Sequence, residues 1–330
     1  MHEKSVLFIN GIPDDLYVKV GSIQKNGKPY LVYSGGANIF DFINNELIKK
    51  HMLMLDANQT QDVKLVKSAV IFNQISDADT HKTALTKLKN IYKFFPKNTP
   101  FFNTPENILK TTRESIYSLT KAIDKVQVPK TVKIQPKSPQ DIFNSIKEGG
   151  FAFPFIFRQA GDHGGISTIL VKDSSHEAFY AFALDGRDYY ITQFVEYKKE
   201  NVYTKYRLVV VDGEVYLRHV IFSDKWIIHS GSRDFMSQHK KYRELEETIL
   251  NSFESTIKPN IQTAITALYK TTKLDYFGID CSIDENFNIL IFELNANMNV
   301  LINTSKNETN IWQEPIAKIV NAIATMILKA

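Results

Sequence analysis

The stretch that most constrains this chain is residues 276–295, Tyr276-Phe-Gly-Ile-Asp280-Cys-Ser-Ile-Asp-Glu-Asn-Phe-Asn-Ile-Leu-Ile-Phe-Glu293-Leu-Asn295. It reads as two apolar strands joined by a tight polar turn. Side chains two apart on a strand share a face, so Glu293 and Asn295 point one way while Leu294 points into the opposite layer. Antiparallel pairing of the two runs can bring Asp280 beside them. Two carboxylates and an amide oxygen then converge among the apolar neighbours Phe277, Ile279, Ile291 and Phe292. Carboxylates in such surroundings are costly without a counter-ion, and an oxygen-only ligand set suits Mg²⁺ bound to the phosphates of ATP. A solvated strand face is the competing reading of the same residues.

The rest of the chain alternates strand and helix signals. Val6 to Asn10 is a short apolar run ending at Gly11 and Pro13, a buried strand that opens the fold. Asn26-Gly27 sits between alternating runs within residues 18–33, the signal of a hairpin; Gly21 to Lys28 fails as a Walker loop on spacing and on Pro29 after the lysine. Ala69 to Asn73 is a second buried strand, followed by a polar loop with Asp77 and Asp79 and a helix through Leu85, Leu88, Ile91 and Tyr92. Asn73, Asp77 and Asp79 thus lie at the carboxyl end of a strand, where open α/β sheets place ligand loops; helix capping is the alternative. Helical spacing predicts one helix from Ile108 to Ile123, and Ser138-Pro139 opens another, closed by Gly149-Gly150. A strand from Phe151 to Arg158, the glycine-rich turn Gly161-Asp-His-Gly-Gly165 and a partner strand Thr168 to Val171 follow. Residues 177–222 read mainly as strands, about 240–270 as a long helix, and Trp312 to Lys329 as an amphipathic closing helix.

With 330 residues, 43% of them hydrophobic, the chain can bury a large core divided among two or three structural units. Its formal charge of +4 comes from 40 basic and 36 acidic residues mixed along the sequence. That mixing points to neither nucleic acid nor an anionic membrane as partner, and suits small anionic ligands better. The amino-terminal apolar run is too short for a signal peptide or a membrane span, so a cytoplasmic protein is expected. The single cysteine, Cys281, lies in an apolar stretch and reads as a small core residue.

The order of these features resembles the ATP-grasp superfamily over roughly residues 100–330. Phe157-Arg-Gln-Ala-Gly-Asp-His-Gly-Gly165, Lys205-Tyr-Arg207, His219, Trp226 to His229 and Phe292-Glu-Leu-Asn-Ala-Asn-Met298 are similar to the ATP-grasp domain attached to tetratricopeptide repeats in bacterial proteins. Glutathione synthetase-like and ribosomal-protein S6 glutamate ligase-like enzymes share the pattern. No such repeats are present in this chain. The resemblance implies an α/β (α+β) chain: an α/β pre-ATP-grasp unit at 1–100, a first grasp subdomain with the glycine-rich loop at 101–192, and a second with the Mg-ATP site at 193–330.

The resemblance also assigns roles. Arg113 and Arg158 occupy positions where the superfamily usually has phosphate-binding lysines; arginine keeps the charge and adds a planar donor fork. Asp162, His163, Gly164 and Gly165 form the loop over the β- and γ-phosphates, and Gln193, Phe194, Val195 and Glu196 form the linker that meets adenine and ribose. Asp280, Glu293 and Asn295 become the Mg²⁺ ligands. Arg207 stabilises the transferring phosphoryl group, with Arg158 and Lys205 assisting. Asn10, Asn73, Asp77, Asp79, His219 and His229 are the expected substrate contacts; for His219 and His229, as for Trp226, filling the core is the alternative. The expected activity is an ATP- and Mg²⁺-dependent ligase joining a small-molecule or peptide carboxylate to an amine through an acyl phosphate. An ATP-binding regulatory module and a small-molecule kinase are the competing readings.

Overall fold

A computed structural model describes residues 3–32, 35–37, 39–43, 46–56, 66–162, 165, 167–303 and 310–330. The amino-terminal part runs β1 (Lys4–Gly11), the hairpin β2 (Lys19–Ile23) and β3 (Pro29–Val32), the single turn α1 (Ile39–Phe42), β4 (Ile48–Leu55), β5 (Val70–Asn73), α2 (Lys82–Tyr92) and β6 (Phe101–Phe102). β4, β1, β5 and β6 form a parallel sheet in that order. The Val6–Asn10 run is fully buried, as a strand covered on both faces must be. The hairpin forms at Asn26-Gly27, with Gly27 at φ 78° as that turn requires.

The helix expected from Ile108 to Ile123 is two: α3 (Pro105–Ile108) and α4 (Arg113–Thr120). Thr112 separates them, its side chain accepting the Ser115 N–H as a new N-cap. Next come β7 (Val126–Gln127), β8 (Thr131–Ile134), α5 (Pro139–Gly149), β9 (Phe155–Gln159), β10 (Thr168–Val171) and β11 (Tyr189–Gln193). Ser138 caps α5 and Gly150, left-handed at φ 60°, ends it. β9 starts four residues later than expected, beyond the cis Phe153–Pro154 bond. β10, β9, β11 and β8 make an antiparallel sheet.

The final part contains β12 (Tyr203–Val211), β13 (Glu214–Ser223), α6 (Arg233–Gln238), α7 (Lys240–Thr256), α8 (Lys258–Thr272), β14 (Tyr276–Ile283), β15 (Ile289–Ala296) and α9 (Gln313–Lys329). The single long helix expected over 240–270 is broken where Pro259 enters the first turn of α8. β13, β12, β14, β15 and β7 form the third large sheet. Two buried clusters join this sheet to the parallel one; Phe8 and Phe72, for example, share a cluster with Val209, Tyr276, Ile319 and Ile323. The antiparallel sheet has its own core, built on Phe155, Phe157, Phe179 and Tyr189 beneath α5.

Asn103 stitches the parallel sheet to β14. Its side chain donates to the Tyr276 carbonyl at 2.7 Å and to Asn297 at 2.6 Å, and accepts the Asp275 N–H at 2.7 Å. Its carbonyl receives the Asn73 amide at 3.0 Å. The left-handed backbone of Asn103, φ 53°, is one that asparagine tolerates.

Candidate functional site

β14 and β15 pair so that Asp280 lies directly opposite Glu293, and β12 places Arg207 directly opposite Asp280 on the other side. His219 of β13 extends the row beyond Arg207. The row His219, Arg207, Asp280, Glu293 therefore crosses four neighbouring strands on the floor of a cavity of about 720 Å³. Asn295 shares the Glu293 face and lines the same cavity, as strand alternation predicted.

The pairing slips by one residue at two places in this row. Arg207 faces His219 while Leu208 faces Leu217, leaving Arg218 as the extra residue. Asp280 faces Glu293 while Cys281 faces Ile291, leaving Phe292 as the extra residue. Such bulges re-aim side chains next to sites. Here they make successive pairs, Arg218 with His219 and Phe292 with Glu293, line one cavity. Simple alternation put Ile291 beside Glu293; the bulge instead sends Ile291 into the core.

Arg207 grips Asp280 in a two-pronged contact, Nε to Oδ1 at 2.7 Å and Nη2 to Oδ2 at 2.8 Å, and Lys205 Nζ donates to Oδ2 at 3.0 Å. Asp280 and Lys205 are 5% and 7% exposed. Burial pushes the Asp280 carboxyl upward, but the adjoining Arg207 and Lys205 charges outweigh it and hold the group well below the usual carboxylate range. Glu293 is opposed by burial in the same way and held low by Arg113, which reaches Oε1 at 2.8 Å, and by Arg158. Arg113, at the start of α4, is braced by the Phe292 carbonyl at 2.7 Å.

Arg158 donates to the Asp162 carbonyl of the glycine-rich turn, and its buried Nε has no partner among the described residues. Burial and the Arg113 charge lower it to about 10, leaving it cationic at neutral pH. Gly165, at φ 77°, lies so close to Ile227 that an added Cβ would sit 2.8 Å from Ile227 Cδ1. The turn thus approaches the Trp226–Ile228 wall closely because it carries no side chain there. His163 and Gly164 lie outside the described residues.

Gln193, Phe194 and Val195 also line the cavity, with Ile156, Leu290, Phe292 and Trp226 supplying apolar surface. The Gln193 side chain is used locally, accepting from Ala152 N and donating to the Ala152 and Pro154 carbonyls. Phe194 and Trp226 meet edge-on at 5.7 Å. Glu196 is turned to the Tyr197 and Lys198 N–H groups and the Tyr203 hydroxyl, and is not among the lining residues.

The amino-terminal candidates separate. Asp77 lines the cavity, and its Oδ1 also accepts the Asp79 and Thr80 N–H groups ahead of α2. Asp79 borders an adjoining recess with Arg113, Arg158 and Glu293, where it holds Lys133 at 2.6 Å and the Tyr190 hydroxyl at 2.8 Å. Asn10 and Asn73 do not line it; Asn10 Oδ1 accepts Gln74 and Asn73 serves the Asn103 network. His219 and His229 both line the cavity. Burial, then Arg207, Arg233 and Arg218, push the His219 imidazole well below its usual value, so it is neutral. His229 Nδ1 accepts Gly231 N.

Sequence reading missed Gly35, Gly36, Arg218, Arg233 and Trp312, all of which line the cavity. The first two follow a hairpin that carries no site signal, and Arg218 is exposed to the cavity only through a bulge. Arg233 is clamped by Glu246, which also receives Trp312 Nε1 at 3.0 Å.

Sequence comparison matches residues 112–320 to the model of the RimK-like ATP-grasp domain. The chain belongs to this ATP-grasp family. Comparison with curated proteins gives no match. Solved structures similar in fold to this ATP-grasp chain include a RimK-domain ATP-grasp protein from Sphaerobacter thermophilus, with 10% identity, TM-score 0.50, and 98% and 99% of the two chains covered. A VanG D-Ala:D-Ser ligase from Enterococcus faecalis gives 11%, 0.56, and 99% and 100%. A D-alanine–D-alanine ligase from Bacillus anthracis complexed with ATP gives 11%, 0.52, and 100% and 98%. At these identities the likeness speaks for the ATP-grasp fold alone. No described helix is long and apolar enough to cross a membrane.

Proposed function

We propose that this chain is an ATP-dependent carboxylate–amine ligase that forms an amide through an acyl phosphate. The observation that carries the reading is the row Arg207, Asp280, Glu293 on adjacent strands, with Asn295 on the same face and Arg113 and Arg158 beside Glu293. We further infer that residues 1–100 shape the acceptor end, 101–192 carry the phosphate-covering turn, and 193–330 carry the catalytic floor.

The donor set fits a hard divalent ion. Asp280, Glu293 and Asn295 would hold Mg²⁺, two of them directly opposed across one strand pair. The described residues contain no cluster of three or more His, Cys, Asp or Glu side chains, so the amide oxygen is needed as the third donor. Lys205, Arg207 and Arg113 already neutralise the two carboxylates. A metal therefore fits best together with a polyphosphate that draws these cations onto itself. When bound, it supplies charge neutralisation on phosphate oxygens.

The chain's own residues do the rest. Arg113 and Arg158 bind and orient the phosphate tail. A substrate carboxylate oxygen attacks the γ-phosphorus, the bond to the bridging oxygen breaks, and ADP leaves. Arg207, drawn from Asp280 toward the phosphates, presents positive charge where negative charge develops. The amine then attacks the acyl carbon, the acyl carbon–oxygen bond breaks as phosphate departs, and the departing phosphate takes up the amine's proton. Gly165 permits the close approach to Ile227 that excludes water from this intermediate.

The test is ADP release by the full chain with ATP, Mg²⁺ and panels of carboxylic acids and amines, with hydroxylamine as a trap. Release that requires both an acid and an amine, with hydroxamate formed, is expected. Release with a hydroxyl acceptor and no amine would make it a kinase. Nucleotide binding without release under any combination would favour a regulatory module.

A further inference from the structure

Among the cavity-lining cations, Lys205 and Arg207 are spent on Asp280, Arg113 on Glu293 and Arg233 on Glu246. Arg158 and Arg218 have no carboxylate partner among the described residues. The two stand at opposite ends of the catalytic row: Arg158 feels Arg113 and Glu293, whereas Arg218 feels Arg207, Arg233 and Glu246. The cavity therefore offers two separate anion-reading ends. A polyphosphate beside Glu293 satisfies only the first.

Arg218 is 5% exposed, and it lies in the cavity wall because it is the extra residue of the β13 bulge. Its Nε donates to the Val300 carbonyl at 2.7 Å and Nη2 to the Ile302 carbonyl at 3.1 Å, which fixes the plane of the guanidinium. Nη1 is buried with no hydrogen-bond partner among the described residues. The Val300 carbonyl and Trp312, whose ring lies 5.7 Å from the guanidinium, border it, within reach of the charges of Arg207, Arg233 and Glu246. A buried cation with an unused N–H edge is expensive, and a neutral acceptor would leave its charge uncompensated. One fixed guanidinium edge matches a monoanion of planar shape better than a phosphate, which takes more donors.

We propose that Arg218 recognises a carboxylate that is not consumed in the reaction, carried by one of the two substrates. The assignment rests on the ligase reading of the same cavity. The carboxylate has two possible sources: a second acid group on the acyl donor, or the acid group of an amino-acid-like amine acceptor.

The full chain, loaded with a non-hydrolysable ATP analogue and Mg²⁺, would be titrated calorimetrically with matched acid and amide pairs. Glutarate and its monoamide test the donor source; alanine and alaninamide test the acceptor source. The acid of one pair should bind about tenfold or more tighter than its amide, the value of one charge-assisted contact. Arg218→Met should erase that preference and leave affinity for the ATP analogue unchanged; Arg218→Gln, closer in polarity, serves if the methionine variant does not fold. A residue that merely braces the 300–302 segment would weaken acid and amide equally, so a preference of the same size in either variant overturns the proposal. So does the absence of preference in both pairs, including the case where inorganic phosphate alone competes. ADP release with these compounds is measured in parallel. Acid preference without release under any combination removes the ligase reading and leaves the carboxylate site standing; release without preference does the reverse.

Discussion

Asp280 and Glu293 stand opposite one another, yet their substitutions should differ in cost. Asp280→Asn strips the partner from two cations at a buried position and should lower stability by about 3–5 kcal/mol as well as abolishing ADP release. Glu293, whose side chain is 24% exposed and whose one salt bridge among the described residues is to Arg113, should lose activity as Gln with a stability change of about 1 kcal/mol. Denaturant melts of the two variants check the difference. His81, fully buried, has its imidazole pushed below the usual value by burial, against the raising effect of Asp77 and Asp14. The unfolded chain therefore binds a proton more readily than the folded chain, and stability should fall as pH drops below about 6.5, until the folded-state imidazole also protonates. His81→Gln should flatten that limb. Asp280 is shifted in the same direction, so its contribution is also lost on acidification, but it is whole above about pH 4 and drains away only below it. At this scale residue type and two-residue spacing pointed to Asp280, Glu293 and Asn295, and the family resemblance to Arg207 and Lys205, all of which line one cavity. Sequence reading misplaced Asn10 and Asn73: an amide at the end of a strand looks the same whether it meets a ligand or another buried amide.

Elements obey local rules where the local signal is strong. Ser138 accepts the Asp141 N–H at 3.3 Å, so Ser138→Ala should cost about 1 kcal/mol, read from a thermal melt. Gly278, opposite Asn295 in the strand pair, has no room for a side chain: an added Cβ would lie 2.4 Å from Met298 Sδ. Gly278→Ala should displace Met298 and impair nucleotide binding more than it lowers the melting temperature, a split that calorimetry can measure. The strand, loop and helix order was legible because buried runs, caps and Asn-Gly turns are written in consecutive residues. Breaks at Thr112 and Pro259 were not, since an apolar period continues across a short kink. The bulges at Arg218 and Phe292 were invisible for a related reason: they depend on how two strands meet, not on either strand alone.

On the scale of the whole molecule, the Asn103 network and the shared clusters bind the parallel sheet to the long-stranded one. Asn103→Ala would take partners from the Asp275 and Tyr276 N–H groups and from the Asn297 side-chain oxygen, and should cost about 3 kcal/mol or more in a denaturant titration. The antiparallel sheet is held differently, by its own core and by polar links such as Lys133 to Asp79 and Lys133 N to Glu114. A separate core joined by polar links is free to pivot, whereas two sheets that share a core move together. The parallel and long-stranded sheets should then act as the fixed jaw of a clamp and the antiparallel sheet as its hinged one, with Asp79 as the latch. Addition of ATP and Mg²⁺ should slow hydrogen exchange chiefly along the seam of that hinge, and Asp79→Asn should loosen it in the absence of nucleotide.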